Sequence, residues 1–340
     1  MQPFVYHRAD SANDAVQAAL SFAPRRATPA TESVAQYVAG GTTLLDLMKL
    51  DVMRPQALID INPIAGAKTI TVNERGVRFG SMVRMAQAAN HAAIVRDYPV
   101  IADTLKLAAS AQLRNMVSLG GNILQRTRCA YFRDTSWSAC NKRAPGSGCS
   151  ALEGVNRQHA VLGTSDHCIA TYPGDFAQAL MALDAVIEIT GFTGNRVIPF
   201  AKFHRLPGDA PNVETALLPG DLITAITVPA GPWTRRSLYL KIRDRESYQF
   251  ALAAAAVAID MRGETVREAR IALRGVATVP WRAIEAEKVL KGKRLDENSA
   301  RSAAEVAFAG ARLRQHNAFK VLLGKRTLER ALPTAARMEI

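Results

Sequence analysis

The chain begins with short apolar runs separated by polar turns, a pattern typical of short strands and brief helices. Residues 14–22 carry apolar side chains at helical spacing, and Ser11 or Asn13 precedes them as a candidate N-cap. Residues 24–33 are rich in Pro and Thr and predict a loop. In this part of the chain, strands are predicted over residues 4–6, 37–39, 58–61, 70–72 and 77–79.

The rest of the chain mixes strands and helices without strict alternation, which favours an α+β fold over a doubly wound sheet. Residues 229–232 have the composition of a linker, so we predict one domain over residues 1–230 and a second over residues 235–338. Helices are predicted over residues 44–48, 85–93, 100–109, 175–183, 281–290 and 299–314, the last two closing the chain. Strands are predicted over residues 185–189, 223–228, 238–242 and 269–273, with an apolar run at residues 250–260.

Residues 126–168 differ from the rest of the chain in composition and in hydrophobic periodicity. They are rich in Gly, Ser, Arg and Cys and show no sustained hydrophobic period. We therefore predict a long loop inserted into the first domain. Loops of this length in compact domains are usually functional or disordered.

Net charge is more informative about possible ligands and partners than the overall composition is. Hydrophobic content is 48%, which is ordinary for a globular protein, but the formal net charge is +13. We find no nucleic-acid-binding motif, and Trp and Tyr together number only 10, so we predict no nucleic acid partner. An anionic prosthetic group or an acidic partner would offset part of the charge. The longest apolar run, residues 250–259, is too short to span a membrane.

All four cysteines, Cys129, Cys140, Cys149 and Cys168, fall inside residues 126–168. Four converging thiolates could bind a [4Fe–4S] cluster or a structural zinc ion, and an oxidising compartment would allow two disulfides instead. The intervening stretches of ten, eight and eighteen residues lack a Cys-x-x-Cys pair, so the residues alone leave all three open. Basic neighbours favour an anionic cluster. They are Arg126, Arg128, Arg133, Lys142, Arg143 and Arg157.

Two glycine loops are candidate anion sites. Residues 39–44 join a predicted strand to a helix through Gly40 and Gly41, and residues 118–122 contain Gly120 and Gly121. Glycines allow close backbone approach, and the amides at a helix N-terminus favour a pyrophosphate. Either loop alone could equally be a tight turn, but the pair suggests one extended diphosphate ligand held from two sides.

Two charged residues have a second interpretation. Asp175 precedes a predicted helix and is a candidate N-cap as well as a candidate ligand contact. Lys241 lies on a predicted strand, where a lysine is more often a solvated charge than a cofactor contact. The six histidines show no paired metal spacing, and no catalytic triad stands out.

These motifs together resemble the flavin-binding subunit of the xanthine dehydrogenase/molybdenum hydroxylase family. The resemblance rests on the two glycine loops, on Pro173-Gly174-Asp175 and on the region of the four cysteines. That region is similar to the bacterial periplasmic aldehyde oxidoreductase flavin subunits, in which a [4Fe–4S] loop is inserted into the FAD domain. The resemblance covers essentially the whole chain.

The resemblance implies a two-lobed FAD-binding domain over residues 1–230, with the iron–sulfur loop at about residues 126–168, followed by a smaller C-terminal α/β domain. It implies Cys129, Cys140, Cys149 and Cys168 as ligands of the [4Fe–4S] cluster. The family pattern has Ser where this chain has Gly174, so a hydroxyl contact is lost there. The FAD contacts that it implies are Gln36, Tyr37, Val38, Ala39, Gly40, Gly41, Thr42, Thr43, Leu44, Ser118, Gly121, Asn122, Asp175, Ile223 and Lys241, the last near the isoalloxazine edge.

It further implies an electron-transfer subunit of a molybdenum-dependent aldehyde oxidoreductase, with no substrate-oxidising residue of its own. The expected partners are a small [2Fe–2S] subunit and a large molybdopterin subunit in a heterotrimer. We expect a periplasmic location by co-transport with a signal-bearing partner, or else a cytoplasmic one. The alternatives are the flavin subunit of a hydroxybenzoyl-CoA reductase-like enzyme and a zinc-stapled binding module without redox activity.

Overall fold

The computed structural model describes residues 1–22 and 28–340 and arranges them around three sheets. Part of the loop predicted over residues 24–33 lies outside the described residues, and Ala30–Glu32 within it forms a short 3-10 helix. In the described ranges, no helix has both the length and the apolar character needed to cross a membrane. The mixture of parallel and antiparallel sheets with helices confirms the predicted α+β class.

The first lobe is a small parallel sheet in the order β1-β3-β2, with helix α1 packed on it. Its elements are β1 (Val5–Arg8), α1 (Ala12–Ser21), β2 (Ala35–Val38), α2 (Leu44–Lys49) and β3 (Ala57–Asp60). The hydroxyl of Ser11 accepts a hydrogen bond from the amide of Asp14, so Ser11 and not Asn13 caps α1. Strand β2 ends directly before the first glycine loop, which places that loop at the edge of the sheet.

The second lobe is a five-stranded antiparallel sheet in the order β4-β5-β8-β6-β7, with helices over its buried face. Its elements before the cysteines are β4 (Ile70–Asn73), β5 (Gly76–Gly80), α3 (Met85–Ala89), α4 (Ala92–Asp97), α5 (Pro99–Lys106), α6 (Ala111–Met116) and α7 (Leu119–Ile123). Those after them are α9 (Phe176–Ala182), β6 (Val186–Gly191), β7 (Gly194–Pro199), the 3-10 helix Phe200–Lys202 and β8 (Leu222–Pro229). The helix predicted over residues 85–93 is in fact two helices, α3 and α4.

The segment of residues 126–168, called the inserted segment below, is irregular as predicted. All of its residues are described, and the helix within it is the four-residue α8 (Ala130–Arg133). Cys140 and Cys149 form an isolated antiparallel bridge. The segment leaves the second lobe after α7 and returns to it before α9, so it sits beside the second glycine loop.

The C-terminal unit is a four-stranded antiparallel sheet in the order β12-β11-β10-β9. Strand β10 contacts α12 as well as α5 and α9 of the second lobe, so the apolar run predicted at residues 250–260 is a strand covered on both faces. The elements are β9 (Ser237–Ile242), β10 (Ala253–Arg262), β11 (Thr265–Arg274), β12 (Trp281–Arg282), α10 (Ile284–Leu290), α11 (Glu297–Ala307) and α12 (Phe319–Ala336).

Two further expectations about regular structure were wrong, and one strand was missed. The chain closes on α12, an 18-residue helix that contains Pro333, and not on the helix predicted over residues 299–314. The helix predicted from residue 281 begins at Ile284, because Trp281 and Arg282 pair with β11. Strand β7 was not predicted, since it is an edge strand whose residues are mostly exposed and which therefore lacks a strong apolar face.

Candidate functional site

The two glycine loops lie against each other. A methyl group on Gly40 would stand 2.1 Å from the carbonyl oxygen of Met116, which ends α6 just before the second loop. Gly41 has φ of +71°, a region that side chains with a Cβ rarely adopt. The loops can therefore meet only because position 40 carries no side chain.

A first cavity of about 190 Å³ opens between these loops and the turn that precedes β8. It is walled by backbone from both glycine loops, as expected for a site that holds a diphosphate from two sides. The predicted contact residues that line it are Gln36, Tyr37, Ala39, Gly40, Gly41, Thr42, Thr43, Leu44, Ser118 and Gly121.

A second cavity of about 430 Å³ continues the first, because Thr42, Thr43 and Gly121 line both. We call the two together the groove. Asn122 and the two predicted charged contacts line the second cavity. The Nδ2 of Asn122 lies 3.3 Å from the Met85 sulfur, while its buried Oδ1 has no hydrogen-bond partner in the described part of the chain. That oxygen is a free acceptor for a ligand in the groove.

The far end of the groove is built on the buried carboxylate of Asp175. It accepts a hydrogen bond from the Tyr239 hydroxyl at 2.6 Å and from Lys241 Nζ at 3.0 Å. Arg274 Nη1 lies 3.0 Å from the same carboxylate. Two buried cations therefore share one buried anion. Burying each charge costs solvation free energy, and the attraction between the charges offsets that cost.

This network overturns both ordinary interpretations of its residues. Asp175 makes no side-chain cap to α9, because its carboxylate turns toward β9 and β11 instead. The Lys241 side chain is only 2% exposed, so it is not a solvated charge. Burial, only partly offset by Asp175, lowers the pKa of Lys241 to about 8. Burial and the charge of Asp175 raise the pKa of Tyr239 well above its usual value.

The four cysteines lie around one place in the inserted segment, although their side chains are not arranged as a ready metal site. All four line one small cavity of about 10 Å³ inside the inserted segment. Each is a free thiol, so the structure forms no disulfide among them. Within residues 1–22 and 28–340, no three His, Cys, Asp or Glu side chains are placed to bind a single metal ion together.

Burial favours the protonated form of Cys129, Cys149 and Cys168 by raising the pKa of each thiol. It raises the pKa of Cys129 to about 12 and that of Cys168 to about 11. The charge of Lys142 opposes the shift at Cys168, and the Nε2 of His159 lies 3.1 Å from the Cys129 sulfur. Metal binding at this position must release the thiol protons, and the nearby positive charge would favour the thiolates that result.

Two family models together cover nearly all of the chain. Residues 2–231 match the FAD binding domain of molybdopterin dehydrogenase, and residues 238–335 match the C-terminal domain of the carbon monoxide dehydrogenase flavoprotein. The chain belongs to the FAD-binding subunits of the molybdenum hydroxylase family. It is therefore an oxidoreductase subunit that binds FAD.

Relatives and solved structures agree with this assignment. The chain is 45% identical to the aldehyde oxidoreductase FAD-binding subunit PaoB of Escherichia coli, over 98% of this chain and 99% of the relative. It is 30% identical to the carbon monoxide dehydrogenase medium chain of Afipia carboxidovorans, over 90% and 86%. It also superposes on a chain of carbon monoxide dehydrogenase from Hydrogenophaga pseudoflava with a TM-score of 0.75, at 26% identity and 98% coverage of both chains.

The groove of this FAD-binding subunit fits its cofactor in shape and chemistry. The bare Cα of Gly40 lets the two glycine loops meet, and the positive φ of Gly41 shapes the backbone that lines the first cavity. The unpaired Oδ1 of Asn122 and the Lys241 ammonium offer an acceptor and a donor farther along. Bound FAD would supply the electron-carrying chemistry, and the chain's own residues would hold and orient it.

Two of the predicted FAD contacts do not line the groove. Ile223 is 4% exposed on β8 and packs in the core of the second lobe. Val38 ends β2 and lines neither cavity. Gln36 does line the first cavity, but its side-chain amide donates to the carbonyl oxygens of Ala30 and Ser33. Its side chain therefore stabilises residues 30–33, which precede β2.

A carboxylate that no sequence pattern indicated, Glu214, connects the FAD groove to the inserted segment. Glu214 lies 3.0 Å from Arg126 and 3.2 Å from Lys142, and all three side chains are at most 15% exposed. Glu214 and Arg126 line the first cavity, whereas Lys142 lines the cysteine cavity. Burial alone would raise the pKa of Glu214, but the charges of Arg126 and Lys142 lower it to about 2. No local pattern marks Glu214, since its partners lie far away in sequence.

Replacing Glu214 by Gln is expected to lower the free energy of unfolding by about 3 kcal/mol at neutral pH, because two buried cations lose their carboxylate. The carboxylate contributes fully above its unfolded pKa, near 4.5, and its contribution is lost as the pH falls toward its folded pKa of about 2. Denaturant unfolding across a pH series should therefore show a difference between the native chain and the variant that shrinks in acid.

The matched control is Glu188→Gln. Glu188 also pairs with an arginine, Arg78, but at the surface, where the arginine side chain is 46% exposed. Its loss is expected to cost less than about 1 kcal/mol. A Glu214→Gln effect as small as this, or one that does not change with pH, would contradict the role assigned to the buried pair.

Proposed function

We propose that this subunit binds FAD and a [4Fe–4S] cluster and serves a molybdenum-dependent aldehyde oxidoreductase, which converts aldehyde and water to carboxylic acid. The observation that carries the aldehyde assignment is the 45% identity to PaoB over almost the full length of both chains. The carbon monoxide dehydrogenase medium chain, which shares the fold, is much less similar at 30%.

The cluster assignment rests on the donor set in the inserted segment. Four cysteines from one segment line a single cavity, with Lys142 close by and the basic residues of the segment around them. Four thiolates are the ligand set of a [4Fe–4S] cluster, and positive surroundings stabilise its negative charge. The ion pair between Glu214 and Lys142 would fix this cluster relative to the FAD groove.

In this proposal the subunit works in a heterotrimer with a small [2Fe–2S] subunit and a large molybdopterin subunit. Electrons would pass from the partner clusters to FAD in the groove and on to an external acceptor. We further propose that the complex reaches the periplasm by co-transport with a signal-bearing partner. Cell fractionation with and without that partner's signal tests the location.

Cys140→Ser is expected to abolish the iron–sulfur signal of the purified chain, because one of the four proposed ligands is lost. Iron should fall from about four per chain toward zero, while bound FAD remains near one per chain because Cys140 does not line the groove. Iron, zinc and released-flavin assays, together with the visible spectrum, measure this.

Ser136→Ala is the control in the same segment, since Ser136 is exposed and bonds only to Asp134 among the described residues. It should keep both iron and FAD. Full retention of iron in Cys140→Ser would refute Cys140 as a ligand, and stoichiometric zinc in a protein without iron would favour the zinc staple.

The substrate assignment is tested on the complex copurified with this chain. Oxidation of aldehydes to carboxylic acids, with reduction of the flavin, supports the proposal. Reduction of an aromatic acyl-CoA thioester without aldehyde turnover would instead identify a hydroxybenzoyl-CoA reductase-like enzyme.

A further inference from the structure

A third cavity, of about 610 Å³, lies between the inserted segment and the C-terminal sheet. It shares Arg128, Tyr248 and Phe250 with the second cavity and Cys129 with the cysteine cavity. It therefore adjoins the Lys241 end of the groove on one side and the predicted cluster on the other. Its volume lies in the range of small-molecule sites.

The lining of this cavity carries an excess of positive charge. Four arginines line it, and none of the described lining residues is acidic. Arg157 and Arg128 each hold a carboxylate from outside the cavity, but Arg245 bonds only to the carbonyl oxygen of Tyr248 among the described residues. The arginines are Arg128, Arg157, Arg245 and Arg274.

The deepest of these charges is incompletely neutralised. Arg274 is 2% exposed, shares the carboxylate of Asp175 with Lys241, and has an Nε without a hydrogen-bond partner in the described part of the chain. The fully buried Lys320 donates to the carbonyl oxygen of Gly275, which also lines the cavity. Burial and the nearby charges of Arg274 and Arg157 lower the pKa of Lys320 to about 7. A bound anion would offset this excess of positive charge.

The walls are aromatic and open to solvent. Trp137, Tyr248 and Phe250 all line the cavity, and they are 48%, 57% and 44% exposed. The guanidinium groups of Arg128 and Arg274 lie 5.3 and 5.7 Å from the Phe250 ring. Exposed aromatic rings beside arginines form a slot for a flat ring that carries negative groups.

We propose that the third cavity binds a small planar aromatic anion, and that an anionic quinone bound there is the oxidant that takes electrons from the reduced flavin. The quinone gains two electrons and two protons at its two carbonyl oxygens and leaves as the hydroquinone, which balances the oxidation of one reduced FAD. A cavity of about 610 Å³ has the size of a small-molecule site. The redox part of this inference rests on the proposed placement of FAD in the groove.

Binding is tested with the redox-inert probe naphthalene-2,6-disulfonate, titrated by calorimetry into the FAD-loaded full chain. We expect one probe per chain, and at least about tenfold weaker binding to an Arg157→Gln/Arg245→Gln double variant, which removes two charges from the wall. Arg301→Gln, an exposed arginine of α11 outside the cavity, is the charge-matched control and should bind the probe as the native chain does.

Uncharged 2,6-dihydroxynaphthalene separates recognition of an anion from recognition of any flat ring. Equal binding of the two naphthalenes, equal affinity of the double variant, or release of FAD by the probe would each overturn the proposal. Binding to the isolated chain but not to the assembled complex would also overturn it, because a partner subunit would then cover the cavity.

The redox step is tested with the assembled complex. With 1,2-naphthoquinone-4-sulfonate as acceptor, the double variant should show a KM raised at least about tenfold, while kcat/KM for uncharged 1,2-naphthoquinone stays within about twofold. Equal losses with both quinones would refute the acceptor site. Flavin content and flavin reduction by aldehyde are measured in the same samples. A complex that does not reduce its flavin with aldehyde contradicts the proposed function, whereas one that does so but shows no charge-dependent loss with the quinones contradicts only the acceptor site.

Discussion

Gly40→Ala is expected to weaken FAD binding by at least about 100-fold while leaving the chain folded. The new methyl group would stand 2.1 Å from the Met116 carbonyl oxygen, which Arg84 already holds by a hydrogen bond. No side-chain rotation relieves a clash between a Cβ and a backbone oxygen, so the two glycine loops must separate. The backbone cradle of the first cavity would then lose its shape. Flavin content after purification and titration of the apoprotein with FAD measure the effect.

Gly310→Ala is the matched control for this substitution. A Cβ there would meet no heavy atom within 4 Å, and Gly310 does not have a positive φ. Its FAD affinity should stay within about twofold of the native value, and circular dichroism should show both variants folded. Native FAD affinity in Gly40→Ala would show that the close approach of the loops does not shape the binding site.

Local pattern predicted most of the regular structure. The strands β3, β4 and β5 lie within one or two residues of the predicted bounds, because each is a short apolar run between turn residues. The hydrophobic pattern did not predict an element whose buried face is covered by elements that are distant in sequence. Helix α12 contacts β10, and its buried face includes Lys320 and Thr327, so this face is not a simple apolar stripe.

Convergence of functional residues was predictable when they were close in sequence. The four cysteines lie within one segment, so their clustering alone suggested a shared ligand. The glycine loops were predicted as two halves of one site, and the contact of Gly40 with Met116 shows how they meet. By contrast, Glu214 and Arg126 are 88 residues apart, and neither stands in a motif.

Charge assignments failed because exposure cannot be read from a single residue. Lys241 lies on a predicted strand, where a lysine is usually a solvated charge, yet the fold buries it against Asp175, which is 66 residues away. Asp175 has the sequence position of a helix cap, but its carboxylate pairs with the cations of Lys241 and Arg274 instead. Only the packing of β9 and β11 against the second lobe determines these roles.

Asp175→Asn is expected to lower the free energy of unfolding by about 4 kcal/mol, because it leaves Lys241 and Arg274 buried without a counter-charge. An asparagine can still accept a hydrogen bond from Tyr239, so the loss reports charge more than shape. The pKa of Lys241 should fall below its native value of about 8, since the carboxylate now raises it. Denaturant unfolding of the FAD-free chain measures the stability, and FAD titration should show weaker binding at this end of the groove.

Asp184→Asn is the control that separates burial from charge. Asp184 also pairs with two arginines, Arg270 and Arg282, but its side chain is 51% exposed and the arginines keep Glu268 and Glu287 as partners. Asparagine tolerates its positive φ of 50°. This variant should lose less than about 1 kcal/mol of unfolding free energy.

Adding Lys241→Met to Asp175→Asn removes one of the two unpaired cations, so the double variant should recover part of the lost stability. Equal losses in the two asparagine variants, or no recovery in the double variant, would show that the buried charge network does not stabilise the end of the groove.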